Sequence, residues 1–240
     1  MMNKENVLEI LGKNADSAFR ENFVRNYPAE ARPVIGINYN NVNELARMLS
    51  HEDNWKDLSD QLINGKTYEE FLLGVAILDN ADIKAQEYFD RITSLIPKID
   101  SVKLCDAVCL SIRLGKEEPE LMLDFLKPRL FSDNDMEQRF AIVMLLDYFV
   151  NTDYIDATLA LFASVEVRGP LAKDALQWGY QVCFIAYPQK TFAVLDNLKI
   201  DHELMDSILD RIEDSKRLFP SDRLALQALR AHQNGEDNEA

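Results

Sequence analysis

The sequence predicts an all-α protein, an α-α superhelix (α-solenoid) in which HEAT-like pairs of antiparallel helices stack side by side. The 240 residues include only 8 Gly and 8 Pro, which is few for a sheet protein with many turns. Apolar residues recur at helical spacing nearly throughout, and no segment alternates convincingly between apolar and polar residues. Helical segments centred near residues 75, 105, 140 and 175 lie about 35 residues apart, as in helical repeats. A compact helical bundle is the alternative, because no strict repeat motif is readable.

Helix boundaries are well marked in the first half of the chain. Thr67 and Glu70 have the spacing of a capping box in front of an apolar stripe that begins at Tyr68. A later helix is predicted from about Ser101 to Leu114, with Gly115 ending it.

Proline and capping residues mark the helices that follow. Pro119 is predicted to open a helix at its first turn, and Pro128 to close or kink it. Asn134 with Glu137 is typical of an N-cap. The helix behind this cap carries apolar residues around most of its circumference, which predicts burial on several sides.

The last part of the chain continues the same pattern. Asp153 is predicted to cap a helix that runs to about Val165. Gly169-Pro170 is predicted to start the next helix, Pro188 to interrupt it near its end, and Pro220 to begin the last one.

These segments make about a dozen helices with short connectors, and no linker divides the chain. We therefore expect a single solenoid domain over residues 1–232. A disordered acidic tail is expected over residues 233–240, which are polar and end the helical pattern.

Composition restricts the class of protein and its compartment. Three cysteines cannot form a complete disulfide set, so we expect a reducing, cytoplasmic environment. The first eleven residues lack the apolar core of a signal peptide, and no stretch approaches the ~20 apolar residues of a membrane span. We expect a monomer without membrane contact.

Motifs for metal or cofactor chemistry are missing from the sequence. It contains no HExxH, no GxxxxGK[ST] and no GxGxxG, and its three histidines stand far apart. Cys105 and Cys109 lie on one apolar stripe, where core packing is the natural interpretation. We expect neither metal nor cofactor.

Three residues are unusual in their helices. Asp106 interrupts an apolar segment, Arg139 lies in the first turns of the most apolar helix, and Trp178 follows Ala-Leu-Gln. Taken singly, each has an ordinary structural explanation, such as an exposed carboxylate or a core indole.

Taken together, these segments resemble the alkylpurine DNA glycosylases built from HEAT-like repeats, the AlkD type. The similarity runs from about Val34 to Arg217. It is carried in order by Val34-Ile35-Gly36-Ile37, Glu69-Glu70-Phe71, Cys105-Asp106-Ala107-Val108, Gln138-Arg139-Phe140-Ala141-Ile142, Lys173 with Ala175-Leu176-Gln177-Trp178, and the segment 211–217.

The resemblance implies a concave DNA-binding cleft that removes cationic N3- or N7-alkylated purines. It implies that Asp106 is the carboxylate that stabilises oxocarbenium charge on the deoxyribose, and that Trp178 is an aromatic wall. It further implies that Arg139 clamps a DNA phosphate and that Lys173 makes a second backbone contact.

The sequence also departs from this family in three respects. The family has a second tryptophan four residues before the carboxylate, where this chain has Val102. Pro28 and Pro33 stand in a stretch where the family has a short helix, which predicts that this helix is shortened or absent. The formal net charge is −15, which disfavours nucleic-acid binding.

Three functions follow as hypotheses. The first is a divergent AlkD-like protein with weak binding to duplex DNA and little or no alkylpurine excision, hence not an effective enzyme. The second is an active glycosylase with a simplified pocket. The third is a protein-binding α-solenoid that uses its groove for a basic or helical partner, which an acidic groove would favour.

Overall fold

The computed structural model describes the backbone of residues 2–236 and the side chains of residues 2–231. Within this part of the chain every regular element is helical, and no strand is present. In chain order the α-helices are α1 (Lys4–Lys13), α2 (Ser17–Asn26), α3 (Tyr39–Leu49), α4 (Trp55–Ile63), α5 (Tyr68–Asn80), α6 (Ala85–Leu95), α7 (Val102–Ser111), α8 (Leu114–Glu117), α9 (Pro119–Leu130), α10 (Asp135–Tyr148), α11 (Ile155–Ser164), α12 (Pro170–Ala186), α13 (Pro188–Asp196), α14 (His202–Glu213) and α15 (Pro220–Glu236), with a 3-10 turn over Ile96–Lys98.

The described helices form two compact units, and the division between the units falls between Phe125 and Leu126. In the first unit, α3, α5 and α7 pack side by side in one layer, and α4 packs against α5. In the second unit, α10, α12 and α14 form one layer, and α11, α13 and α15 form another. Such layered pairing confirms the predicted all-α class of helical repeats.

Two helices are buried along most of their length. In α5 every residue from Tyr68 to Leu78 is buried, and in α10 every residue from Gln138 to Leu146 is buried. The prediction that α10 is buried on several sides is therefore confirmed.

The predicted caps of these two helices are also confirmed. Thr67 and Glu70 bond reciprocally in a capping box at the start of α5. The Asn134 side chain accepts the backbone N–H of Glu137, 3.0 Å away, at the start of α10.

The predicted end of α7 is wrong. The helix begins close to the predicted start, at Val102, but α7 ends at Ser111, and Gly115 lies inside the short helix α8. The reason is a tertiary contact. Arg113 donates its backbone N–H and its guanidinium to the carboxylate of Asp79, at 2.9 and 2.7 Å, and this holds the chain away from α7.

One further boundary prediction needs correction. Asp153 is not the cap of α11, because the side-chain oxygen of Asn151 accepts the N–H groups of both Asp153 and Tyr154. The stretch that contains Pro28 and Pro33 has no helix, as predicted, since α2 ends at Asn26 and α3 begins at Tyr39.

Pro170 and Pro220 each stand at the first position of a helix, α12 and α15, as predicted. Pro188 interrupts the helical segment after α12, also as predicted, and is the first residue of α13. The last helix includes residues 233–236 of the expected tail, and residues 237–240 lie outside the described residues. Between residues 2 and 236, no helix has both the length and the apolar character to cross a bilayer.

Candidate functional site

Asp106 lies half-buried on α7 of the first unit. Cys105, Val108 and Cys109 on the same helix are fully buried and form the side of α7 that faces the core. Asp106 lies at the edge of that side, where its side chain is partly exposed. Val102 lies one helical turn before Asp106 and is 37% exposed. Val102 and Asp106 are therefore neighbours on the surface of α7.

A cavity of about 480 Å³ lies along the same helix, within the first unit. Lys103, Ala107 and Leu110 form its α7 wall. Five aromatic side chains are among the other lining residues, and we call this space the aromatic cavity: Phe19, Phe23, Tyr27, Tyr39 and Tyr68.

The rings of the aromatic cavity come from helical spacing and from packing between helices. Phe19 and Phe23 lie one turn apart on α2, and Tyr27 follows that helix. The Phe23 ring centroid is 5.1 Å from that of Tyr27 and 4.9 Å from that of Tyr68 on α5, distances typical of favourable aromatic pairs.

A buried carboxylate fixes the segment between α2 and α3 on the cavity. Glu69 of α5 accepts the backbone N–H groups of Ile35, Gly36 and Ile37 at 2.8, 2.7 and 3.2 Å. Gly36 has a φ of +102° there, a conformation that favours glycine. The charge of Glu69 is thus satisfied by the backbone.

The aromatic cavity is lined by one cationic side chain, Lys103 of α7, and one carboxylate, Glu69 of α5. The pKa of the Tyr68 hydroxyl is raised, mainly by burial and then by nearby carboxylates that include Asp106. The Lys103 ammonium lies 4.6 Å from the centroid of the Tyr27 ring. Within the described part of the chain, Lys103 forms no ion pair with a carboxylate.

In the second unit, Arg139 is an internal residue with 2% of its side chain exposed. Its guanidinium donates to the carbonyl of Leu171 at 3.2 Å and to the carboxylate of Asp174 at 2.8 Å. Arg211 donates to the other oxygen of Asp174 at 2.6 Å. Arg139 therefore connects α10 to α12, and Asp174 connects both to α14.

The two arginines determine the ionisation of Asp174. Burial alone would raise the pKa of Asp174, but the hydrogen bonds from Arg139 and Arg211 lower it below its usual value. The carboxylate is thus held in its charged form, and it neutralises the buried guanidinium.

The other predicted residues of the second unit lie on α12. Trp178 is half-buried, one turn after Asp174 on the same helix face. Lys173 donates to the carboxylate of Glu203 at 2.8 Å, and this hydrogen bond raises the pKa of Lys173. Arg139, Lys173 and Trp178 belong to one unit and Asp106 to the other, so their predicted convergence stays a prediction.

Sequence reasoning missed two features. The aromatic cavity was detectable in part, because Phe19, Phe23 and Tyr27 recur every fourth residue. Asp174 gave no comparable signal, since its role depends on residues from distant helices.

The described residues offer few other reactive groups. They contain no cluster of three or more potential metal ligands from His, Cys, Asp and Glu. All three cysteines are buried, and burial raises the pKa of the Cys183 thiol to about 12, which makes it a poor nucleophile. The main candidate reactive group in the first unit is therefore the half-buried carboxylate of Asp106, on the helix that also lines the aromatic cavity.

Comparison with known proteins gives one family match. A family model described as DNA alkylation repair enzyme matches residues 6–178, which is most of the chain. The matched range contains Val102, Asp106, Arg139, Lys173 and, as its last residue, Trp178. The search of curated proteins found no match.

Proposed function

Because the chain belongs to the DNA alkylation repair enzyme family, we propose that it is a divergent AlkD-like member that binds duplex DNA weakly and excises little or no alkylpurine. The observation that carries the proposal is that the cations expected to hold DNA already have carboxylate partners. Arg139 is paired with Asp174, and Lys173 is paired with Glu203.

Arg139 is the more important of the two cations. A phosphate would reach its guanidinium only after the side chain left its internal position and its bond to Asp174. Asp174 is itself partly exposed, so separating this pair costs about 2–3 kcal/mol, less than the ~3–5 kcal/mol of a fully buried pair. A surface phosphate contact, at about 0–1 kcal/mol, does not offset that cost. Arg139 therefore has a structural role that competes with DNA binding.

The face around Asp106 also suits a cationic lesion poorly. Val102 offers no aromatic face, so about 0.5–2 kcal/mol of cation–π attraction is missing. Lys103 lies on the same side of α7, one turn before Asp106, and its ammonium repels a positively charged base. The charge of Asp106 is then the main remaining attraction.

The experiment measures release of 7-methylguanine from methylated duplex DNA together with binding of the same duplex. We expect very slow release by the natural chain, and a gain for Val102→Trp that grows further in Val102→Trp/Lys103→Gln. Asp106→Asn in the doubly substituted background is the matched control and should abolish the gain. Robust release by the natural chain that is lost in Asp106→Asn would contradict the proposal.

A second candidate function is an active glycosylase with a simplified pocket. It is favoured by the half-buried positions of Asp106 and Trp178, which leave both side chains partly accessible. The release assay separates the two candidates, because only the second requires turnover by the natural chain.

A further inference from the structure

We propose that the aromatic cavity binds a small apolar acid, with a flat apolar body among the rings and a single anionic group at Lys103. The cavity volume of about 480 Å³ is within the range of about 300–1,000 Å³ that is usual for small-molecule sites. All of its lining residues belong to the first unit.

The apolar part of the proposal follows from which side chains are exposed. Phe19, Tyr27, Tyr39 and Leu110 all line this cavity, and all four are exposed. Several large apolar side chains around one concavity are unusual for a surface without a ligand. A flat apolar molecule would remove their surface from water.

The anionic part follows from the charge of the lining. Lys103 is the single cationic side chain among the residues that line the cavity. Its ammonium contacts the Tyr27 ring and, within residues 2–231, has no carboxylate partner. Glu69 also lines the cavity, but its carboxylate already accepts three backbone N–H groups, so Lys103 is the charged lining residue that can donate a hydrogen bond to an anion.

Asp106 provides an internal test of this charge argument. It lies one turn after Lys103, and its charge acts on Tyr68 in the cavity wall. The negative charge of Asp106 therefore weakens the binding of an anion at Lys103. Neutralising Asp106 should strengthen the binding of an acid and leave the binding of a neutral ligand unchanged.

The experiment compares two fluorescent probes of similar shape. 8-Anilinonaphthalene-1-sulfonate has an apolar body and one anionic group, and N-phenyl-1-naphthylamine has the same body without the charge. Lys103→Met should weaken binding of the sulfonate about three- to tenfold, the loss of one charge-assisted contact, and leave the neutral probe unchanged. Asp106→Asn should strengthen sulfonate binding alone.

Three further variants locate the site. Ala107→Phe fills the cavity and should weaken both probes, with circular dichroism confirming that the variant is folded. Leu110→Glu, at an exposed wall position, should weaken the sulfonate more than the neutral probe. Lys98→Met removes an exposed lysine away from the cavity and should change neither.

Unchanged sulfonate binding in Lys103→Met, or equal loss of both probes in that variant, would overturn the proposal. Sulfonate binding that Leu110→Glu leaves unchanged would do the same. No DNA is present in these measurements, so their failure is distinct from a failure of the proposed repair function.

Discussion

Asp174 is the carboxylate that pairs with two arginines of the second unit. It receives hydrogen bonds from Arg139, which is buried, and from Arg211. Asp174→Asn removes the charge of a carboxylate that pairs with the buried Arg139 guanidinium, so we expect a loss of about 2–3 kcal/mol in the free energy of unfolding, less than for a fully buried pair because Asp174 is itself partly exposed. Urea denaturation measures this loss.

The matched control is Asp156→Asn. Asp156 pairs with Lys190 on the surface, where both side chains are well exposed. This change should cost less than about 1 kcal/mol. Similar losses in the two variants would mean that the Asp174 pairs contribute no more than surface pairs.

The lowered pKa of Asp174 predicts how stability depends on pH. The folded protein holds this carboxylate charged at a pH where the unfolded chain, with an aspartate pKa of about 3.9, begins to bind a proton. The stabilisation is therefore fully present above that value and is lost as the pH falls through the lower folded-state pKa. Unfolding curves between pH 6 and 2 should show a smaller acid-induced loss in Asp174→Asn than in the natural chain.

The sequence identified Arg139 as unusual but could not reveal its environment. A guanidinium in an apolar helix is compatible with a phosphate clamp and with an internal ion pair. The difference depends on Asp174 and Arg211, which are 35 and 72 residues further along the chain. Nothing in the local pattern around either of them marks that contact.

At the scale of helices, α12 depends on a carboxylate from another helix. Asp135, the first residue of α10, accepts the backbone N–H groups of Leu171 and Ala172 at 3.0 and 2.7 Å. Asp135→Ala removes both acceptors and should cost about 1–2 kcal/mol, as other capping losses do. Asp133→Ala, at a 98% exposed side chain, is the control. If thermal unfolding shifts equally in both variants, Asp135 does not hold α12.

Another contact between elements depends on Gly36. Its φ of +102° is unfavourable for any other residue, and an added Cβ would lie 2.6 Å from the Asp16 carbonyl oxygen and 2.7 Å from the Arg20 Cβ. We expect Gly36→Ala to destabilise the protein by about 2–3 kcal/mol and to weaken probe binding, because α2 carries part of the aromatic cavity. Gly12→Ala has open space around the new methyl group and should be neutral or slightly stabilising. Equal stability of the two variants would contradict this assignment.

Helix starts were the most predictable elements, because a cap such as Thr67 with Glu70 or Asn134 acts within four residues of the chain. Helix ends were less predictable. The end of α7 depends on Arg113 and Asp79, which are 34 residues apart. The aromatic cavity needs side chains from four helices, and only its stripe on α2 was visible in the sequence.

At the scale of the whole molecule, fold class and net charge are both properties that the sequence determines directly. Helical periodicity gave the class because it is repeated over the full length. The distribution of the charge was not predictable, since Lys173 and Arg139 count as positive in the sequence while Glu203 and Asp174 neutralise them in the structure. The effective positive charge available to DNA is therefore smaller than the sequence suggests.

This balance predicts a weak dependence of DNA binding on salt. Each phosphate neutralised by a lysine or arginine contributes about −0.9 to the slope of log K against log salt. With Arg139 buried and Lys173 paired, we expect a slope no steeper than about −3 for duplex DNA, measured by fluorescence anisotropy.

Glu203→Gln, at an 84% exposed side chain, frees Lys173 and should make the slope steeper by up to about one unit. Glu9→Gln frees Lys13 on α1 of the first unit and should leave the slope unchanged. A steep slope for the natural chain, or no difference between the two variants, would mean that other cations hold the DNA.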